Sequence, residues 1–153
     1  MLGDAIVRIP HAALIVVGDG KRTIFLRNEG DATFLNLVVE QTLLNDNPAT
    51  HLQGTDKPGR VFTRAGGTHR SSVEATDWHH LSKLRFAREV AGKIDAWLNE
   101  RASPAVVIVA TTRTLTELRR HLSAAAKTAV IAEIAKDLTR HPVAEIERLL
   151  VAG

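Results

Sequence analysis

Residues 12 to 17, Ala-Ala-Leu-Ile-Val-Val, form an unbroken apolar run enriched in β-branched side chains. A run this short reads as a buried strand; a membrane helix needs roughly 20 apolar residues. Gly18-Asp19-Gly20 follows at once, and glycines that tolerate positive φ make this a tight hairpin turn. Arg22 to Asn28 then alternates, with Thr23, Phe25 and Arg27 set against Ile24 and Leu26. That period of two predicts a second strand with one wetter face. Glu29-Gly30-Asp31 supplies another turn, and Leu35 to Leu43, β-branched at Val38 and Val39, predicts a third strand. The opening third is thus expected to be an antiparallel meander.

The pattern breaks between about Leu44 and Thr76. This stretch holds Asn45-Asp46-Asn47-Pro48, Gly54, Pro58-Gly59 and Gly66-Gly67, and neither the helical nor the strand period persists. So long a structureless segment inside a domain is usually functional or disordered, so the reading is a long functional loop. From Asp77 to Asn99 the helical period is plain. Trp78, Leu81, Leu84, Ala87, Ala91, Ile94 and Leu98 recur at three- and four-residue steps, widened by Phe86, Val90 and Trp97. They mark one apolar stripe, and Thr76 or Asp77 suits the cap.

Pro104 precedes a buried strand over Ala105 to Ala110. Thr114-Leu-Thr-Glu117 has the capping-box pattern for a second helix, ending near His121. Thr128 to Ile134 predicts a fifth strand, with alanines that suit a helix almost as well. Pro142 fits the first turn of a last helix, Val143 to Val151. The expected order is β-β-β-α-β-α-β-α: an α/β fold with a mixed five-stranded sheet, matching the ribonuclease H-like plan, in one domain spanning 1–153. Right-handed crossovers prune the alternatives.

Composition narrows the class. The chain is 44% hydrophobic and 24% charged, which is ordinary globular material. No secretory signal pattern or membrane-length apolar run is visible, and there are no cysteines; the expectation is a soluble cytoplasmic protein without membrane contact. The net charge of +3 permits an acidic partner without requiring one. Its distribution says more. From Lys57 to Ser72 the charged residues are Lys57, Arg60, Arg64 and Arg70, with no acid among them.

Candidate chemistry is sparse. A two-metal nuclease needs clustered carboxylates on the central strands; the first strand has none, Asp19 lies past its end, and Glu40 on the third lacks partners. The seven histidines, His11, His51, His69, His79, His80, His121 and His141, are scattered, and a zinc site needs three or four ligands together. A Walker loop and a nucleophile elbow are absent. The expectation is therefore no metal, no cofactor and no assigned catalytic residue. The sharpest feature is Arg64-Ala-Gly-Gly-Thr-His-Arg70. Paired glycines expose backbone N–H groups to an anion, flanking arginines meet phosphates, and His69 can stack on a base.

Several segments together resemble the bacterial family described as protein required for attachment to host cells. They are Asp46-Asn-Pro48, Gln53-Gly-Thr-Asp-Lys-Pro-Gly-Arg60, Thr76-Asp-Trp-His79, Arg85-Phe-Ala-Arg88 and His141-Pro-Val-Ala-Glu-Ile-Glu-Arg-Leu-Leu150. The resemblance covers nearly the whole chain. It implies kinship with the middle domain of archaeal and eukaryotic class-1 release factors, whose fold is ribonuclease H-like. In those factors a loop ending in Gly-Gly-Gln enters the peptidyl-transferase centre and a helix bearing Arg-Phe-x-Arg follows. Gly66-Gly67 and Arg85-Phe86-Ala87-Arg88 look similar. Thr68 stands where the glutamine would be, and the gap from Gly67 to Arg85 is much longer, so the glutamine's role does not carry over.

The resemblance implies a ribosome- or structured-RNA-binding factor. The residues assigned to that contact are Arg60, Arg64, Gly66, Gly67, Thr68, His69, Arg70, Arg85 and Arg88. Two further expectations stand beside it: an attachment module with a protein partner, and a peptidyl-tRNA hydrolase using the Gly66-Gly67 loop. The sequence leaves the oligomeric state open.

Overall fold

The computed structural model describes residues 8–45, 65–100 and 105–152, with side chains throughout except at 65–79 and 152. Three strands open the chain: β1 (Leu14–Gly18), β2 (Arg22–Asn28) and β3 (Leu37–Leu44). A long helix, α1 (Ala65–Glu100), precedes β4 (Val106–Ala110) and α2 (Thr112–His121). A short helix, α3 (Ala124–Ala129), then leads into β5 (Val130–Ala135), and α4 (Val143–Ala152) ends the fold.

The five strands form one open mixed sheet in the order β3-β2-β1-β4-β5. β1 pairs antiparallel with β2, and β2 with β3, so the expected meander is present. β1 pairs in parallel with β4, and β4 with β5. Both faces of the sheet are covered. On one, Leu14, Val16, Phe25, Val106 and Ile108 pack with the inner faces of α1, α2 and α3. On the other, Ile15, Val17, Leu26, Val107 and Val109 meet Ile146 and Leu150 of α4. Each fully buried Ile or Val contributes about 1.5–3 kcal/mol, so the two clusters supply most of the drive to fold. Among the described residues no helix is long and apolar enough to cross a membrane.

Four sequence expectations need correction. β2 has no wet face: Thr23, Phe25, Leu26 and Asn28 are buried and Ile24 and Arg27 half-buried. Its alternation reflects different neighbours on its two sides, since both are covered. The capping box at Thr114 does not start α2. Thr111 is the N-cap, and its hydroxyl accepts from the Thr114 N–H, because the chain turns into helix directly after Ala110. The order contains one helix more than expected. Ala124–Ala129 is helical where the fifth strand was expected to begin, and Val130–Ala135 is the strand. Alanine has the highest helix propensity and little preference for strands, and Ser123 caps this turn. Finally, helix α1 begins at Ala65, not Asp77, so the part of the expected loop from residue 65 onward is helical. Glycine in a helix costs about 1 kcal/mol and, unlike proline, leaves the hydrogen-bond ladder intact. The rest of the loop, 46–64, lies outside the described residues.

The apolar stripe of α1 is close to expectation. Phe86, Ala87, Val90, Ala91, Ile94 and Trp97 are buried, whereas Leu81 is 51% exposed. Ser123 ties α3 to this helix. Its hydroxyl accepts from the Ala126 N–H at 3.0 Å and donates to Asp95 Oδ1 at 2.6 Å. Ser123→Ala should therefore lower stability by about 1 kcal/mol in a urea melt. No measurable change would remove Ser123 from the cap.

Candidate anion-binding cleft

The carboxyl ends of β1 and β4 lie side by side. Gly18 ends β1, opposite Thr23 of β2 on one side and Ala110 of β4 on the other. These three residues form the floor of a cleft of about 460 Å³. The inner wall is apolar, with Val16, Ile108, Phe86, Ala87, Val90 and Leu118. Glycine keeps the floor open: a Cβ at Gly18 would stand 2.6 Å from Thr23 Oγ1.

The mouth of the cleft is basic. Lys21, Lys83, Arg113 and Arg140 line it against Asp19 and Glu117, with His80 exposed beside them. Lys21 sits just after the β1–β2 turn, Lys83 on α1, and Arg113 in the first turn of α2. Those three cations have no ion-pair partner among the described residues. The stem of Lys83 passes over Gly20, where a Cβ would stand 3.2 Å from its Cδ. The first turn of α2 carries no acid, so its positive dipole end is uncompensated there.

Of the two acids at the mouth, Asp19 is committed to the turn. Asp19 Oδ1 accepts from the N–H groups of Lys21 and Arg22 at 2.7 and 2.8 Å, holding the hairpin turn. Its Oδ2 lies 3.2 Å from the Thr139 hydroxyl, which also sits 2.7 Å from Asp137 Oδ1. Asp137 is held below the usual carboxylate range, first by the Thr139 hydroxyl, with Arg140 and His141 adding attraction. A second network steadies the turn from α1. The buried Ser82 hydroxyl donates to Asn45 Oδ1 at 3.1 Å, and Asn45 Nδ2 donates to the Gly20 carbonyl at 3.0 Å.

The sequence-predicted contact residues fall in three groups. Arg60 and Arg64 lie outside the described residues. Gly66, Gly67, Thr68, His69 and Arg70 lie in the first turns of α1. Arg85 and Arg88 are exposed on α1, three residues apart and so on one face. The helix turns its Phe86, Ala87 and Val90 side to the cleft and core. Arg85 therefore sits on the opposite side of the helix from the cleft. The two acids weighed for a nuclease are structural: Asp19 holds the turn, and Glu40 pairs with Arg27 at 2.6 Å. His11 Nδ1 meets the Gly30 carbonyl at 2.9 Å, and His141 Nδ1 meets Glu145 at 2.8 Å.

Sequence reading missed Thr23, Lys83 and Arg113 as a group. The sequence predicts Gly18-Asp19-Gly20 as a hairpin turn and nothing more. Only the strand order brings that turn to the first turn of α2.

A family model described as "Protein required for attachment to host cells" matches residues 14–150. No curated protein matches the chain. The match spans most of the 153 residues, and the chain belongs to that family.

Proposed function

We propose that this member of the host-attachment family works as an RNA- or ribosome-binding factor in the cytoplasm. The observation that carries the reading is the set of cations without an ion-pair partner among the described residues: Lys21, Lys83 and Arg113 around the cleft, with Arg85 and Arg88 exposed on the outer side of the same helix. On a helix rising 1.5 Å per residue, Gly67 and Arg85 are separated by about 27 Å. Such a span exceeds a small molecule and suits a partner with phosphates repeated along its length, since phosphate contacts supply most of the affinity for nucleic acid.

The reading takes the sheet as ribonuclease H-like and the family as akin to release-factor middle domains. The strand order β3-β2-β1-β4-β5, antiparallel then parallel, supports the first part. Gly66-Gly67 and Arg85-Phe86-Ala87-Arg88 on one helix support the second. Thr68 in place of glutamine favours contact over peptidyl-tRNA hydrolysis.

Sedimentation with ribosomes at graded salt tests the proposal. Binding is expected at low salt and should fall steeply as salt rises. Arg85→Ala with Arg88→Ala should flatten that slope by about two released counterions. Absence of binding at low salt, or binding indifferent to salt, overturns it.

A further inference from the structure

The cleft lies where the chain parts in two directions. From β1 it turns back to β2 on one side; from β4 it crosses through α2 to β5 on the other. In open α/β sheets, ligands bind outside the carboxyl ends of the strands at such a point. The first N–H groups of α2 open there without carbonyl partners of their own helix, and the first-turn residues Arg113 and Thr114 line the cleft. A second, independent feature points the same way. Thr23 is only 2% exposed, lines the cleft, and its hydroxyl has no hydrogen-bond partner among the described residues. The hydroxyl opens onto the cleft and can meet a polar atom of a ligand seated on its floor.

The geometry points to a nucleoside monophosphate group as the occupant. Its phosphate sits at the first turn of α2, against Arg113 and the ammonium groups of Lys21 and Lys83. Helix N-termini and unpaired cations favour this charge. The flat face of its base lies along Phe86 and Ile108, and a polar atom of the ligand meets Thr23. The volume of about 460 Å³ falls within the range of small-molecule sites, roughly 300–1,000 Å³. Bare phosphate leaves the apolar wall unused, and a duplex cannot enter a recess of this size. The group can arrive as a free nucleotide or as one unpaired nucleotide of an RNA strand.

Calorimetric titration of the full chain tests this, with inorganic phosphate, each of the four ribonucleoside monophosphates, and a short single-stranded 5′-phosphorylated oligoribonucleotide. Saturable binding is expected for at least one monophosphate or for the oligonucleotide, about tenfold tighter than for phosphate. Arg113→Ala and the near-isosteric Thr23→Val should each weaken it about tenfold while melting within a few degrees of the parent. Binding of monophosphates identifies a free nucleotide as the source; binding of the oligonucleotide alone identifies RNA. No binding of either, phosphate bound equally tightly, or affinity unmoved by both variants overturns the assignment. The titration is separate from ribosome sedimentation. Failure there leaves a nucleotide site standing, and failure here leaves the helix surface standing.

Discussion

Asn28→Ala should unfold at a clearly lower urea concentration than the parent, with a loss of about 3 kcal/mol. Asn28 is fully buried at the end of β2 and holds two chain segments at once. Its side-chain N–H₂ donates to the carbonyls of Ile9 and Pro10 at 3.0 and 3.1 Å. Its Oδ1 accepts from the N–H groups of Gly30 and Asn36 at 2.9 and 3.1 Å. The segment before β1 depends on these bonds: Ala12 adopts φ 70°, the left-handed region that alanine disfavours, while its N–H donates to the Asn28 carbonyl at 2.7 Å. Truncation leaves several buried backbone groups without partners, each costing about 1–3 kcal/mol if water does not replace the lost bond. Asn28→Asp, which keeps the shape and the acceptor, should be at least as harmful, because its carboxylate would face the Ile9 and Pro10 carbonyls. A loss below about 1 kcal/mol for Asn28→Ala would falsify the claim that this side chain pins both segments.

The second large effect comes from a pair of glycines expected to respond with opposite sign. At Gly30 a Cβ would stand 2.2 Å from the Phe34 carbonyl oxygen and 2.9 Å from the Asn36 nitrogen. Both are backbone atoms in a turn tied by Asp31, whose carboxylate accepts from the N–H groups of Thr33 and Phe34. Nothing there is a flexible side-chain end that can swing away. Gly30→Ala should cost about 3 kcal/mol, at the upper end of overpacking effects. At Gly92, exposed on α1, a Cβ meets nothing within 4 Å. Gly92→Ala should add about 0.8 kcal/mol, because alanine loses less freedom than glycine in a helix. Paired urea melts decide it, and a neutral Gly30→Ala would mean that the turn is looser than its bonds indicate.

The candidate site was less legible than the turns around it. Arg85 and Arg88 stood out through motif resemblance, and both are exposed on the helix predicted for them. Gly66 to Arg70 stood out as a glycine-rich basic stretch, yet the structure puts it on a helix, because no proline interrupts the chain from Ala65 to Glu100. Thr23, Lys83 and Arg113 gave no signal. Each is unremarkable beside its sequence neighbours, and what distinguishes them is shared access to one recess.

By itself the sequence determined the elements whose signals are local. The bounds of β2, the turns at Gly18-Asp19-Gly20 and Glu29-Gly30-Asp31, and the apolar stripe of α1 follow from backbone sterics and periodicity within a few residues. Tertiary structure decided the rest. Burial of β2 on both faces depends on helices arriving from distant parts of the chain. The capping by Thr111 depends on where β4 ends. The basic cleft exists because parallel pairing of β1 with β4 sets the hairpin turn beside the first turn of α2, with Thr23 and Gly18 in register between them. Side chains far apart in sequence acquire a common electrostatic role only through that pairing, and no local pattern records it.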